Sequence, residues 1–162
     1  MFDTLRHCVM AVSLGHTNVS LYILPLIWMI CSLLHLFALC TYTLSTGKTV
    51  GCSQPRNLAQ VADSDPALTS YTRGRILRAE AAAKDIGHGA PMFAVAILAG
   101  NLVGLSPASL NMFSLAYLVT RTMYVVAYVA CETTGGVFVR SILSLSGQGL
   151  IWTIFVAAGK GS

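Results

Sequence analysis

Residues 19–42 read VSLYILPLIWMICSLLHLFALCTY, 24 consecutive positions without a formal charge. A helix needs about 20 apolar residues to cross the ~30 Å hydrocarbon core of a bilayer. No other open-chain form is viable there, because backbone groups left unbonded in lipid cost several kcal/mol each. The stretch is too long and too poorly flanked for a cleaved signal peptide, so it is expected to stay as an anchor. Pro25 falls in its first two turns, where a kink is tolerated in a membrane.

The remainder of the chain agrees with that reading. Of 162 residues, 55% are apolar and 10% are charged, whereas soluble domains carry roughly 25% charged residues. A water-facing surface would have to be built from residues the chain lacks. Ten Lys and Arg against six Asp and Glu give a formal net charge of +4, scattered and not clustered, so no nucleic-acid footprint and no nucleic-acid partner are expected. The length fits one domain over residues 1–162. The five cysteines (Cys8, Cys31, Cys40, Cys52 and Cys131) are odd in number and lack metal-binding spacing. Neither a disulfide framework nor a metal site is expected.

Three further spans are expected. The second covers residues 75–105, charged and Ala-rich up to His88 and then almost purely apolar, with Pro91 as a kink. Its Gly100 and Gly104 form a GxxxG spacing, which lets helix backbones approach closely. The third covers residues 110–130 and the fourth 137–158, and the short connections between them make consecutive spans antiparallel. The fold class is therefore all-α, an integral-membrane four-helix bundle with spans at about 19–42, 75–105, 110–130 and 137–158. Lys48, Arg56, Arg73, Arg75 and Arg78 lie in or near the first loop, which the positive-inside bias assigns to the cytosol. That loop, residues 45–72, has no period of either kind, and part of it is expected to fold over the cytosolic mouth of the bundle. A small multi-span protein of this kind fits the endoplasmic reticulum.

The informative residues are those a plain anchor would not carry. Arg121 sits mid-span, where a charged side chain costs ~2.5–3.5 kcal/mol on insertion scales, so it is expected to face a bundle interior, a partner or a wet cavity. Arg121, Tyr124 and Tyr128 share one helix face. The plain alternative is an arginine neutralised by carbonyls and a neighbouring carboxylate. On the second span Arg78, Asp85 and His88 fall on one side. Asp85 and His88 are one turn apart, so the carboxylate is positioned to hold one imidazole tautomer while the other ring nitrogen exchanges protons. Glu80 and Lys84 read as an i,i+4 surface pair. On the fourth span Arg140, Ser144 and Gln148 align, with Ser141 beside the arginine. A guanidinium next to a hydroxyl suits a thiolate or another oxyanion, and a snorkelling interfacial arginine is the plain alternative.

Three separate segments then agree with one family. The sequence resembles the MAPEG family, the membrane-associated proteins in eicosanoid and glutathione metabolism. That family's second helix carries Arg, then Asn seven, Glu ten and Pro thirteen positions later, and here Arg78, Asp85, His88 and Pro91 stand in those places. Arg121, Tyr124 and Tyr128 match its Arg-x-x-[Tyr/His]-x-x-x-Tyr. Arg140-Ser141 with Gln148 is similar to the thiolate-side motif of the prostaglandin E synthase branch, and Pro55-Arg56 to the family's Pro-Arg pair. The resemblance implies a homotrimer that binds glutathione between protomers and acts on a lipophilic small-molecule substrate reaching it through membrane lipid. It implies Arg140 and Ser141 as thiolate-stabilising catalytic residues, and Arg78, Arg121, Tyr124, Tyr128 and Gln148 as residues that help hold the tripeptide. The departures are Asp85 for Asn and His88 for Glu, because the family's Glu meets the ammonium group of glutathione.

Two enzymatic readings stay open beside a non-catalytic scaffold. One is a glutathione-dependent transferase or isomerase, with Asp85 taking over the ammonium contact. The other is an isomerase or cyclase of specialised metabolism that works without glutathione, with Asp85 and His88 as its acid-base groups. Both expect the polar groups at positions 78, 85, 88, 121, 128 and 140 to converge on one chamber.

Overall fold

The computed structural model describes residues 17–48, 57–130 and 134–160, which form five helices and, among the described residues, no strand. They are α1 (Ser20–Thr46), α2 (Leu58–Ser64), α3 (Ser70–Leu102), α4 (Pro107–Ala130) and α5 (Thr134–Lys160). Pro55 and Arg56, which resemble the family's Pro-Arg, lie outside the described residues.

Helix ends follow local chemistry. α1 stops at Gly47, whose φ of 68° is left-handed and whose N–H bonds the carbonyl of Thr43 at 2.9 Å; only glycine takes that conformation without cost. α3 opens on Thr69, whose hydroxyl accepts from the Thr72 amide at 3.3 Å, a serviceable N-cap. α4 opens with Ser106 accepting from the Ser109 amide at 3.3 Å and with proline at the first helical position, where its missing N–H is no loss. α3 is continuous through Pro91.

At its other end α3 closes at Leu102, and Gly104 already has a φ of 74°. The Leu105 N–H returns to the Gly100 carbonyl at 2.9 Å, which is the bond of a C-terminal helix cap. The expected GxxxG helix contact is therefore not formed as such. Gly104 is a chain-reversal residue, and only Gly100 sits against a neighbour, with Leu110 and Leu105 over its Cα.

α3 is the hub: it packs against all four other helices, and α4 also packs on α1 and α5. The main core joins Ile23 and Ile27 of α1, Ile86, Phe93 and Ile97 of α3, Leu110, Tyr117 and Tyr124 of α4, and Ile151 and Ile154 of α5. A smaller cluster sets Leu58 and Ala62 of α2 against Ala38 and Tyr42 of α1 and Ile76 and Ala79 of α3. The long first loop thus folds in part, as α2 across one end of α1 and α3. Asp65 ties it down by accepting from the Tyr42 hydroxyl at 2.9 Å, from Lys48 Nζ at 2.9 and 3.1 Å, and from the Ala67 amide at 3.0 Å. The Ala67 amide first, then Lys48 and Tyr42, hold its carboxyl down at about 2.

Large apolar side chains cover the outside, among them Trp28, Leu33, Phe138, Leu145 and Trp152. Such a surface suits lipid and not water. α1, Pro107–Val129 of α4 and Gly136–Lys160 of α5 are long and apolar enough to cross a membrane. α3, expected as another span, does not join them on composition, because Arg73, Arg75, Arg78, Glu80, Lys84 and Asp85 fill its first half.

Candidate functional site

Arg121 is the best-defined polar residue of the interior, 1% exposed on α4. Its Nη1 lies 3.5 Å from Asp85 Oδ2 on α3, and its guanidinium stands 5.0 Å from the Tyr117 ring and 5.9 Å from that of Tyr124. Two glycines make room for it. A Cβ on Gly147 of α5 would meet the guanidinium at 3.1 Å, and one on Gly89 of α3 would meet Nη2 at 3.2 Å and the Tyr117 hydroxyl at 3.1 Å. The charge is therefore neutralised within the chain by a carboxylate and two ring faces.

From Arg121 a ladder of rings runs toward the end of α4. The rings of Tyr124 and Tyr128 lie 5.3 Å apart, and the Arg140 guanidinium covers Tyr128 at 4.7 Å. In the other direction Tyr117 stacks on Phe93 at 4.1 Å. The i, i+3, i+7 spacing on α4 creates this row, because residues so spaced fall on one helical face and their side chains line up along it.

Two cavities flank the ladder. One, of about 540 Å³ between α3 and α5, is lined by Asp85, His88, Arg121 and Gln148 at its polar part and by Met92, Ile151, Trp152 and Phe155 elsewhere. The second, of about 270 Å³ between α4 and α5, is lined by Tyr124, Tyr128, Arg140, Ser141 and Ser144. The single chamber expected from sequence is thus divided: Asp85, His88 and Arg121 belong to one cavity, Tyr128 and Arg140 to the other. Arg121 lines the first and Tyr124 the second. Arg78 lines neither of them, and its guanidinium lies over Gly74 one turn back along α3.

Pairings within the site also differ from the expected ones. Asp85 turns to Arg121, whereas His88 Nδ1 bonds the Lys84 carbonyl at 2.8 Å. A carbonyl only accepts, so Nδ1 carries the hydrogen and Nε2 of the neutral ring offers a lone pair. A backbone oxygen thus does the job expected of Asp85. Arg140 Nε donates to the Gly136 carbonyl at 3.1 Å and Ser141 Oγ to the Val137 carbonyl at 3.1 Å. Glu80 is not a surface partner of Lys84: it is 5% exposed, and its Oε1 lies 2.6 Å from Nδ1 of His35 on α1. Sequence spacing could not find that bond, because its partner lies 45 positions away on another helix. Among the described residues no cluster of His, Cys, Asp and Glu has the geometry to hold a metal ion.

Helices clad in apolar side chains, three of them long and apolar enough to cross a bilayer, define an all-α integral membrane protein. The chain belongs to the MAPEG family, whose pattern it matches over residues 23–160, most of its length. No curated protein and no solved structure gives a match.

Proposed function

We propose that the protein is a membrane-embedded enzyme that uses glutathione to transfer to, or isomerise, a lipophilic small molecule. The observation that carries this reading is Arg140 held over the Tyr128 ring, with Ser141 and Ser144 beside it, in a cavity at the end of the α4 ladder. The family includes glutathione-dependent transferases and isomerases. The donor set suits the tripeptide: a guanidinium, two phenols and two hydroxyls face a sulfur or carboxylate, and Asp85 supplies a carboxylate. Oδ2 of Asp85 is buried on Arg121 while 39% of the side chain stays exposed, which leaves an edge for an ammonium group.

When bound, glutathione supplies a sulfur nucleophile. Arg140 places a fixed positive charge where the sulfur's negative charge would sit, and a charge fixed before reaction costs no reorganisation during it. The Tyr128 face below the guanidinium limits its rotation. Ser141, whose hydroxyl now donates to its own helix, contributes a donor after one rotamer change. Tyr124 in the same cavity and Arg121 and Gln148 in the neighbouring α3/α5 cavity are assigned to hold the tripeptide, whereas Arg78 lines neither. The apolar wall of Met92, Ile151, Trp152 and Phe155 in the neighbouring α3/α5 cavity accommodates a lipophilic substrate. The apolar half of α3 acts as the fourth span, the basic first loop faces the cytosol, and three copies assemble as a homotrimer; the charge asymmetry and the family support these three assignments.

The test is titration calorimetry with glutathione on the protein in lipid nanodiscs. Micromolar-to-millimolar affinity that Arg140→Ala abolishes is expected. Absence of heat at any concentration in that range overturns the reading in favour of a glutathione-independent isomerase or cyclase. One observation favours that second reading: the hydrogen-bonded tautomer of His88 turns Nε2 loose beside Asp85, Arg121 and a lipophilic wall, a usable set of acid-base groups. Loss of turnover in His88→Ala, with glutathione irrelevant, is its signature.

A further inference from the structure

A third cavity, of about 930 Å³ between α1 and α3, shares only His88 with the α3/α5 cavity and has no residue in common with the Arg140 cavity. Its polar lining is Cys31, Ser32 and His35 from α1 and Glu80, Lys84 and His88 from α3. His35 lies one turn beyond Cys31, and Glu80, Lys84 and His88 follow at i, i+4 and i+8, so both helices turn one polar face to the same space.

The Glu80–His35 pair is the informative part. A carboxylate at 5% exposure is costly unless paired, and its partner is His35 Nδ1 at 2.6 Å. An ionised carboxylate only accepts, so Nδ1 carries the hydrogen, and in the neutral ring Nε2 then carries the lone pair. The His35 side chain is 37% exposed, so the ring is anchored on one edge without being sealed. This is the arrangement in which a carboxylate fixes an imidazole's tautomer and faces the positive charge that develops as the ring takes a proton. Lys84 adds an ammonium group to the same wall.

We propose that this cavity is a proton-transfer site for a neutral lipophilic weak acid, such as a phenol, a thiol or an enolisable ketone, with His35 as the base. The acid's X–H bond breaks and leaves its electron pair on X, while a new N–H bond forms at His35 Nε2. Glu80 faces the resulting imidazolium, and Lys84 pairs with the anion. Return of the proton restores both partners, so no oxidant or reductant is consumed. The site stands independently of the thiolate reading at Arg140.

A para-nitrophenol bearing an alkyl tail serves as the probe, because its phenolate is read by visible absorbance. The full chain in nanodiscs is compared with empty nanodiscs, with glutathione absent throughout, so the outcome is separate from that of the thiolate proposal. At neutral pH the phenolate-to-phenol ratio is expected to rise at least about tenfold with the wild-type chain, one unit of apparent acidity. His35→Gln and Lys84→Gln are each expected to lose most of that rise. Glu80→Gln is expected to lose it as well and to mix the His35 tautomers in its nitrogen NMR spectrum, which a purely structural staple would not link to the probe. With Cys8, Cys40, Cys52 and Cys131 replaced by serine, the probe should slow maleimide labelling of Cys31, which places it in this cavity. No rise with wild type, a rise that survives His35→Gln, or unprotected Cys31 overturns the proposal. Should His35→Gln fail to fold, Lys84 is exposed and its replacement decides alone: an undiminished rise in Lys84→Gln overturns it.

Discussion

Removing either member of the Arg121–Asp85 pair should be costly, and unequally so. Breaking a buried ion pair by deleting one partner typically costs roughly 3–5 kcal/mol, because the other charge is left without compensation. Asp85→Ala strands Arg121, which is only 1% exposed, so most of the ~3–5 kcal/mol is expected. Arg121→Met strands Asp85, whose side chain is 39% exposed onto the α3/α5 cavity and can rehydrate there. The N–O separation of 3.5 Å also exceeds the usual span of a charge-assisted hydrogen bond, so the stranded carboxylate loses less. The expected cost of Arg121→Met is about 1–3 kcal/mol, part of it from the lost ring contacts with Tyr117 and Tyr124. The double variant should be more stable than the sum of the singles predicts, with a coupling of about 1–2 kcal/mol. Unfolding in mixed micelles, followed by circular dichroism, measures all four corners of the cycle. Zero coupling, or an Asp85→Ala variant as stable as Arg121→Met, refutes the view that Arg121 is neutralised within its own chain.

Four smaller perturbations bear on the scaffold. Gly147→Ala pushes a methyl group to 3.1 Å from the Arg121 guanidinium; overpacking at roughly 1–3 kcal/mol should outweigh the ~1 kcal/mol an alanine gains in a helix. At Gly149 nothing lies within 4 Å of the added Cβ, so Gly149→Ala should raise the melting temperature while Gly147→Ala lowers it. Asn111, 3% exposed, donates to the Thr17 carbonyl at 2.7 Å and accepts from the Ser20 amide at 2.9 Å. Asn111→Ala should cost about 1–3 kcal/mol in the same assay, through polar groups left unbonded at the start of α1. Asp65 is held at about 2 when folded, below the roughly 3.9 of an unfolded aspartate. Its contribution is therefore complete above about pH 4 and is lost as the pH falls toward the folded value. Amide exchange in α2 should accelerate over that window, and Asp65→Asn should show fast exchange throughout.

Much of the fold was readable from residue pattern alone. Residues 19–42 carry no charge, so the first long helix was legible, and the observed α1 extends it only to Thr46 because Gly47 supplies the stop. α3 begins five residues before the expected position 75: Thr69 caps a first turn whose polar residues show no apolar period. Gly104 looked like part of a helix contact because spacing cannot report φ. The ladder from Arg121 to Tyr128 was visible as a helical face, and Arg140 follows it only through the packing of α5 on α4. Asp85 and His88 looked like a dyad because they are one turn apart. Arg121, 36 positions from Asp85, and the Lys84 carbonyl claimed them instead, and neither claim is written in local spacing. Glu80 and His35 were missed for the same reason, since a cross-helix hydrogen bond leaves no mark in either helix's own sequence.

The claim on which the functional account turns is that Arg140 holds a sulfur anion. Ultraviolet difference spectroscopy of the protein in nanodiscs, saturated with glutathione at neutral pH, reads that anion directly by its thiolate absorbance. The account predicts close to one thiolate per wild-type chain, reduced to background in Arg140→Ala. A spectrum of un-ionised thiol in the wild type, or a thiolate signal that persists in Arg140→Ala, contradicts it.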